Sequence, residues 1–220
     1  MVVEPSQGIL VVADGMGGAP AGDVASALAV QEVTRALHSG MGMDEAVQAA
    51  NRRILEMAET QPAMSGMGTT LTALRILPEA GEYVVGHVGD SRAYIWSAGT
   101  FSQISRDHTM VRDMVDAGRI PASAEKLHPL GHILSRVLGT QAEVAVDLVR
   151  GNLQDGDRFL LCSDGLIRVM DESEVEEWVR KAGSVSLEEL VDAILEQANR
   201  RGAPDNVTVA ILTVDDQDSA

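Results

Sequence analysis

At 220 residues, 45% of them hydrophobic, the chain can bury one sizeable core and needs no more than a single domain spanning 1–220. Its 33 acidic against 17 basic residues, a net charge of −16, argue against nucleic-acid backbone or an anionic membrane surface as partner, since both select basic patches. One cysteine excludes an internal disulfide, and without an 18-residue apolar run or a leader-like start the sequence predicts a soluble, cytoplasmic protein.

The first apolar run, residues 9–13, reads as a buried strand that ends at Asp14-Gly15. Helices are predicted over 23–37 and 43–59, the second from Val47, Ala50, Ile54, Met57 and Ala58 at helical spacing. Strands follow over 69–77, 82–88 and 92–97. The breaks between them, at 78–81 and at Gly89-Asp90-Ser91, read as hairpin connections. Residues 105–139 are irregular, with a short helix over 109–117 and with His108, His128 and His132; an insertion of this kind is expected to border the site as a flap. Strands over 144–150 and 157–161 lead to Cys162-Ser163-Asp164-Gly165. Two more helices are predicted, over 172–181 and from 187 onward, the latter opened by Ser186 and Glu189 as a capping box. Asp205-Asn206 then opens a last strand, 206–214. Successive strands between helical pairs predict an α+β fold of stacked antiparallel sheets with helices outside.

Asp14 and Asp164 each end an apolar run and precede glycine, and Asp205 begins another run. One Asp-Gly pair is ordinary turn chemistry. Several carboxylates delivered to sheet ends carry a like-charge cost that a cation removes, and hard oxygen donors select Mg2+ or Mn2+ over zinc. Most of the acid excess reads as solubility, Cys162 as buried filler, and the ten methionines as core and helix filler.

In order, the chain carries Ala13-Asp14-Gly15-Met16-Gly17-Gly18, Gly68-Thr69-Thr70, Val88-Gly89-Asp90-Ser91-Arg92, Ser105-Arg106-Asp107-His108, Leu134-Ser135-Arg136-Val137-Leu138-Gly139, Cys162-Ser163-Asp164-Gly165-Leu166 and Asp205-Asn206-Val207-Thr208. This series resembles the metal-dependent protein serine/threonine phosphatases, the type 2C or PPM family in its bacterial form, over about residues 9–214. The resemblance implies a four-layer α/β/β/α sandwich of two antiparallel sheets flanked by helices. It implies hydrolysis of phosphoserine and phosphothreonine in proteins by metal-activated water, without a covalent phosphoenzyme, in bacterial signalling that opposes a cognate Ser/Thr kinase. By the same resemblance Asp14 bridges two ions, the Gly15 carbonyl ligates one, and Asp164 and Asp205 ligate the other. Asp90 joins Asp164 at a third, weaker site. Thr69 and Thr70 are expected to start a core strand, and Asn206 to position Asp205. Met16 stands where many eukaryotic relatives carry a histidine acid and has no proton to donate, which leaves water or another group, such as a loop histidine, as the source.

The family places an Arg that grips the substrate phosphate, and an Asn-Glu-Asp segment, before the first Asp-Gly. Here residues 1–8 precede the first run and contain neither. A start assigned downstream of the natural one is the preferred explanation. The alternatives are a truncation that impairs activity and a pseudophosphatase that binds phosphoprotein or metal without turnover. A partner-switching phosphatase of the sigma-factor regulatory type shares the fold. Arg92, Arg106 and Arg136 are the candidates for a replacement phosphate grip.

Overall fold

The computed structural model describes residues 1–16 and 21–214, so Gly17 and Gly18 of the first motif lie outside the described residues. In chain order the elements are β1 (Val2–Glu4), β2 (Ile9–Val12), β3 (Gly15–Met16), α1 (Ala21–His38), α2 (Met43–Thr60), β4 (Gly68–Thr69), β5 (Leu71–Leu77), β6 (Glu82–Val88), β7 (Arg92–Ser97) and β8 (Thr100–Gln103). They continue with α3 (Met110–Asp116), β9 (Asp147–Asn152), β10 (Arg158–Cys162), α4 (Asp164–Val169), α5 (Glu172–Lys181), α6 (Leu187–Arg200) and β11 (Val209–Thr213). One sheet has the order β1-β2-β5-β6-β9 and another β11-β10-β7-β8, with every pair antiparallel; β3 and β4 make a separate ribbon.

The layering follows from strands that are apolar on both faces. In β2, Ile9 and Val11 pack against α1 and α2, while Leu10 and Val12 turn to the opposite sheet. In β10, Phe159 and Leu161 meet them from the other side, while Leu160 and Cys162 face α5 and α6. A period of two thus serves two cores from one strand, and the expected four-layer sandwich is what results. Helices α1 and α2 commit Ala25, Ala29, Val33, Val47, Ala50 and Ile54 to full burial; the small residues let the helix pair lie close over the sheet.

Register gathers one set of strand ends. Val12 of β2 pairs with Thr72 and Val88 of β6 with Leu71, so both strands finish where β5 starts. In the other sheet Cys162 at the end of β10 pairs with Val209 and with Arg92, the first residues of β11 and β7. The chain passes from β6 to β7 through Gly89-Asp90-Ser91. This segment is therefore a crossover between sheets, not the hairpin read from sequence: its turn chemistry is the same, and which sheet receives the next strand is decided by packing. Gly89 takes φ +113°, and a Cβ there would sit 2.6 Å from Thr70 Cβ, so only glycine fits the crossing.

Other expectations need correction. The strand predicted over 69–77 is interrupted at Thr70. Ser186 makes no side-chain cap on α6, which is held instead by buried Leu190, Ile194 and Ala198; a capping box forms on α5 between Asp171 and Glu174. Strands β1, β3 and β8 and helix α4 were not read from sequence.

Candidate metal centre

Asp14 follows β2, Asp90 lies in the β6–β7 crossover, Asp164 opens α4 just past β10, and Asp205 precedes β11. All four therefore stand at the gathered strand ends, as the sequence reading required of the first, third and fourth. Their charges act on one another. The Asp14 carboxyl is pushed up to about 6 by burial first and then by the Asp164 and Asp205 charges. Asp90 is pushed up to about 7, again by burial first and then by Asp164, Asp107 and Asp14.

The Asp14 backbone is fixed by two threonines. Its N–H donates to Thr70 Oγ1 (3.0 Å), and its carbonyl accepts from Thr69 Oγ1 and from the Thr70 N–H, both at 2.9 Å. Thr69 and Thr70, expected only to start a strand, thus hold the first carboxylate. Thr70 Oγ1 also meets the buried Ser91 hydroxyl at 2.8 Å, which ties Asp14 to the residue after Asp90.

Asp90 is held from the irregular segment. The His108 N–H donates to the Gly89 carbonyl (2.7 Å), and the Gly89 N–H donates to His108 Nδ1 (3.1 Å). Nδ1 is then an acceptor, so the ring proton is on Nε2, 3.1 Å from Asp147 Oδ2. Burial lowers the His108 pKa and favours this neutral form. Arg136 Nη1 closes the group on Asp147 Oδ1 at 2.6 Å. His108 is a loop histidine, but a fully buried one that clamps the crossover. His87, packed against it at 4.8 Å between rings, is also fully buried and is lowered to about 4 chiefly by burial.

Asp164 is held by charge. Arg168, one helical turn on, donates from Nε to Oδ2 (2.8 Å) and sets Nη2 2.7 Å from the same oxygen in an ion pair, while Oδ1 is buried without a hydrogen-bond partner. Asp205 is exposed, and Oδ1 accepts from the Asn206 backbone N–H at 2.8 Å. Asn206 thus positions Asp205 through its backbone; its carbonyl in turn accepts from Ser163 Oγ at 3.1 Å. The exposed Gly15 lies in β3, packed so tightly on Gly22 of α1 that a side chain would overlap it.

An orphaned buried carboxylate oxygen and two carboxyls raised by burial and then by their neighbours' charges are what an oxygen-liganded divalent cation would relieve, so the residues fit such an ion. Among the described residues no set of three or more His, Cys, Asp or Glu side chains is closed into a ready shell. The carboxylates are gathered, and Arg168 engages one oxygen of Asp164.

A cavity of about 300 Å³ opens beside them, lined by Asp90, Asp164, Arg168, Thr109, His128 and His132, so the irregular segment borders the site. Of the three arginines considered as phosphate grips, Arg92 lines this cavity but is fully engaged by Asp107, Tyr94 and Glu172, whereas Arg106, paired with Asp113 and Asp116, and Arg136, paired through Nη1 with Asp147, do not line it. Arg168 was missed, although an Arg four residues after a helical Asp was legible. Cys162 is fully buried with its thiol pushed up to about 12 by burial, consistent with filler and not a nucleophile.

Residues 1–205 match the family profile described as Protein phosphatase 2C. The serine/threonine phosphatase stp of Listeria welshimeri is 36% identical over 217 residues, covering 94% of this chain and 84% of that protein. The Mycobacterium tuberculosis serine/threonine phosphatase PstP/Ppp superposes with a TM-score of 0.83 at 35% identity, over 94% of this chain and 88% of that one. The catalytic domain of PstP in complex with two manganese ions superposes with a TM-score of 0.80 at 36% identity, with the same two coverages.

Proposed function

Since this chain belongs to the protein phosphatase 2C family, we propose that Asp14, Gly15, Asp90, Asp164 and Asp205 make up its metal site and that Asp14, Asp164 and Asp205 carry catalysis. The chain is a protein serine/threonine phosphatase, a phosphoric monoester hydrolase of the metal-dependent type. The observation that carries the site assignment is that four carboxylates from four separate segments are linked electrostatically through Asp14 and Asp164, two of them with raised pKa and one with a buried, unpartnered oxygen.

Asp14, Asp164 and Asp205 would hold two ions with the Gly15 carbonyl, and Asp90 with Asp164 a third; the donor set suits Mg2+ or Mn2+. Such ions lower the pKa of a water and neutralise charge on a phosphoryl group in flight. The protein's own part is to hold the carboxylates at fixed strand ends and to offer an open cavity beside them. Neither Cys162 nor Ser163 is placed to form a phosphoenzyme: Cys162 is buried, and Ser163 Oγ is engaged by the Asn206 carbonyl and the Thr208 N–H at 3.1 and 3.0 Å. Met16 has no proton to give, so the leaving oxygen takes one from water or from His128 or His132 on the cavity wall.

The substrate is a phosphorylated protein, and the opposing partner a Ser/Thr kinase in the cytoplasm of a bacterium. No helix among the described residues is long and apolar enough to cross a membrane. We place the chain in a single domain with residues 105–139 as flap. The test is Mn2+-dependent phosphate release from a phosphothreonine peptide, with Asp164→Asn beside it. Release lost in the variant is expected; no release from a folded, metal-binding chain would return the pseudophosphatase reading.

A further inference from the structure

We propose that Arg168 is the side chain that grips the phosphate group of the substrate, a role that rests on the phosphatase reading above. A phosphate monoester brings two negative charges to a site already built from four carboxylates. Besides any metal, it needs a cation with donors to spare. Among the described residues Arg92 and Arg168 are the arginines that line the cavity beside the carboxylates, and Arg92 has Nε, Nη1 and Nη2 all engaged by Asp107, Tyr94 and Glu172; Arg106 and Arg136 keep nitrogens without a partner but do not line it. Arg168 differs on three counts. It spends Nε and Nη2 on a single oxygen, Asp164 Oδ2, and Nη1 has no protein partner among the described residues. Its side chain is 43% exposed, on the wall of the cavity it shares with Asp90, Asp164, His128 and His132. Its charge also reaches Asp14, Asp90 and Asp205, so it lies within electrostatic range of every proposed ligand carboxylate.

The contact with Asp164 prepares the guanidinium for this task. Anchoring one edge of a planar fork fixes the plane of the other, so less side-chain freedom is lost when phosphate arrives. Asp164 and Arg168 are one helical turn apart in α4, and the helix therefore sets a ligand and a phosphate donor at a fixed spacing. A lysine at 168 could supply charge but not two donors to Asp164 and a third to phosphate in one plane.

The experiment measures inorganic phosphate binding to the Mn2+-saturated protein by calorimetry for wild type, Arg168→Gln and Arg168→Lys. It adds KM for a phosphothreonine peptide and Mn2+ affinity by electron paramagnetic resonance. Arg168→Gln is expected to weaken phosphate binding and raise KM about 10- to 100-fold, as for loss of a charge-assisted hydrogen bond, while Mn2+ affinity moves less than about threefold. Arg168→Lys recovers part of the phosphate affinity. Unchanged phosphate binding, or phosphate and Mn2+ affinities that fall by one common factor, would overturn the proposal and leave Arg168 as a counter-ion of Asp164. The two readings fail separately: a wild type that binds phosphate in an Arg168-dependent way without hydrolysing the peptide sinks only the phosphatase reading.

Discussion

The two sides of the carboxylate cluster are held by different physics. Asp14 is fastened through its own backbone by Thr69 and Thr70, and Asp90 through its neighbours, Gly89 by the buried His108 and Ser91 by the Thr70 hydroxyl. Asp164 and Asp205 are fastened at their side chains, one by the Arg168 ion pair and one by the next peptide N–H. Buried hydrogen bonds are short-ranged and lose little to solvent, so the first side is preorganised by the fold. The second side, with Arg168 and Asp205 open to water, can rearrange as charge arrives. Preorganisation on one side lets a site keep its place; adjustability on the other lets it accept and release ions and phosphate.

The comparison is broken most severely at Thr70. Thr70→Val keeps the shape but orphans the Asp14 N–H and the Ser91 hydroxyl, at a cost of about 1–3 kcal/mol, or several degrees in Tm for the metal-free chain. Mn2+ affinity should fall at least about tenfold, as when partners behind metal ligands are removed. Calorimetric unfolding with a Mn2+ titration reads both, and a variant with wild-type values would show that the hydroxyl net does not support the site.

A smaller effect separates the sides by pH. Asp14 and Asp90 have folded pKa values of about 6 and about 7, above the ordinary 3.8. The folded state therefore binds these protons more tightly than the unfolded chain does. That stabilisation is full below about pH 3.8 and is lost as pH rises through the folded values. His87, lowered to about 4, acts in the opposite sense below about pH 6.5, so the clean window lies above it. Between about pH 6.5 and 8.5 the metal-free chain should lose a few degrees of Tm, and Asp90→Asn should flatten the loss. Added Mn2+ should stabilise more at the upper end, because ligation releases the same protons. A metal-free Tm that rises across this window would contradict the mutual repulsion described for the cluster.

How much of this was legible in the sequence depended on the range of the interaction. Apolar runs bounded by Asp gave Asp14, Asp164 and Asp205, and periodicity gave α1, α2 and α6, because those signals are local. The 78–81 turn was read as a hairpin, yet residues 5–8 carry the same Pro-x-x-Gly signature. They make the same 3₁₀ turn, closed by Gly8 at φ +62° as the other is by Gly81, and they pair β1 with β2. That strand was readable and unread. The crossing at Gly89, the burial of His108 and the sequestering of Arg92 by Asp107 were not readable, since each depends on contacts between segments far apart in the chain. Arg168 falls between: its spacing from Asp164 was local, but its place on the cavity wall beside the carboxylates shows only in the fold.

The smallest expected effect concerns Asn206, and it sharpens the comparison on the adjustable side. Asn206 was expected to position Asp205. In the structure its backbone does the work: the N–H meets Asp205 Oδ1, and the carbonyl accepts from Ser163 Oγ, which in turn accepts from the Thr208 N–H. The Asn206 carbonyl also lies so close to Gly165 that a side chain at 165 would overlap it, which locks the loop against α4 without help from the carboxamide. Asn206→Ala keeps every one of these contacts, so Mn2+ affinity and peptide turnover should stay within about twofold of wild type, as for a solvent-facing substitution. Ser163→Ala removes the bridge between the two ligand segments and should cost more on both measures. A tenfold loss in Asn206→Ala would reverse that order and mean that the carboxamide turns to Asp205 once the ions are bound.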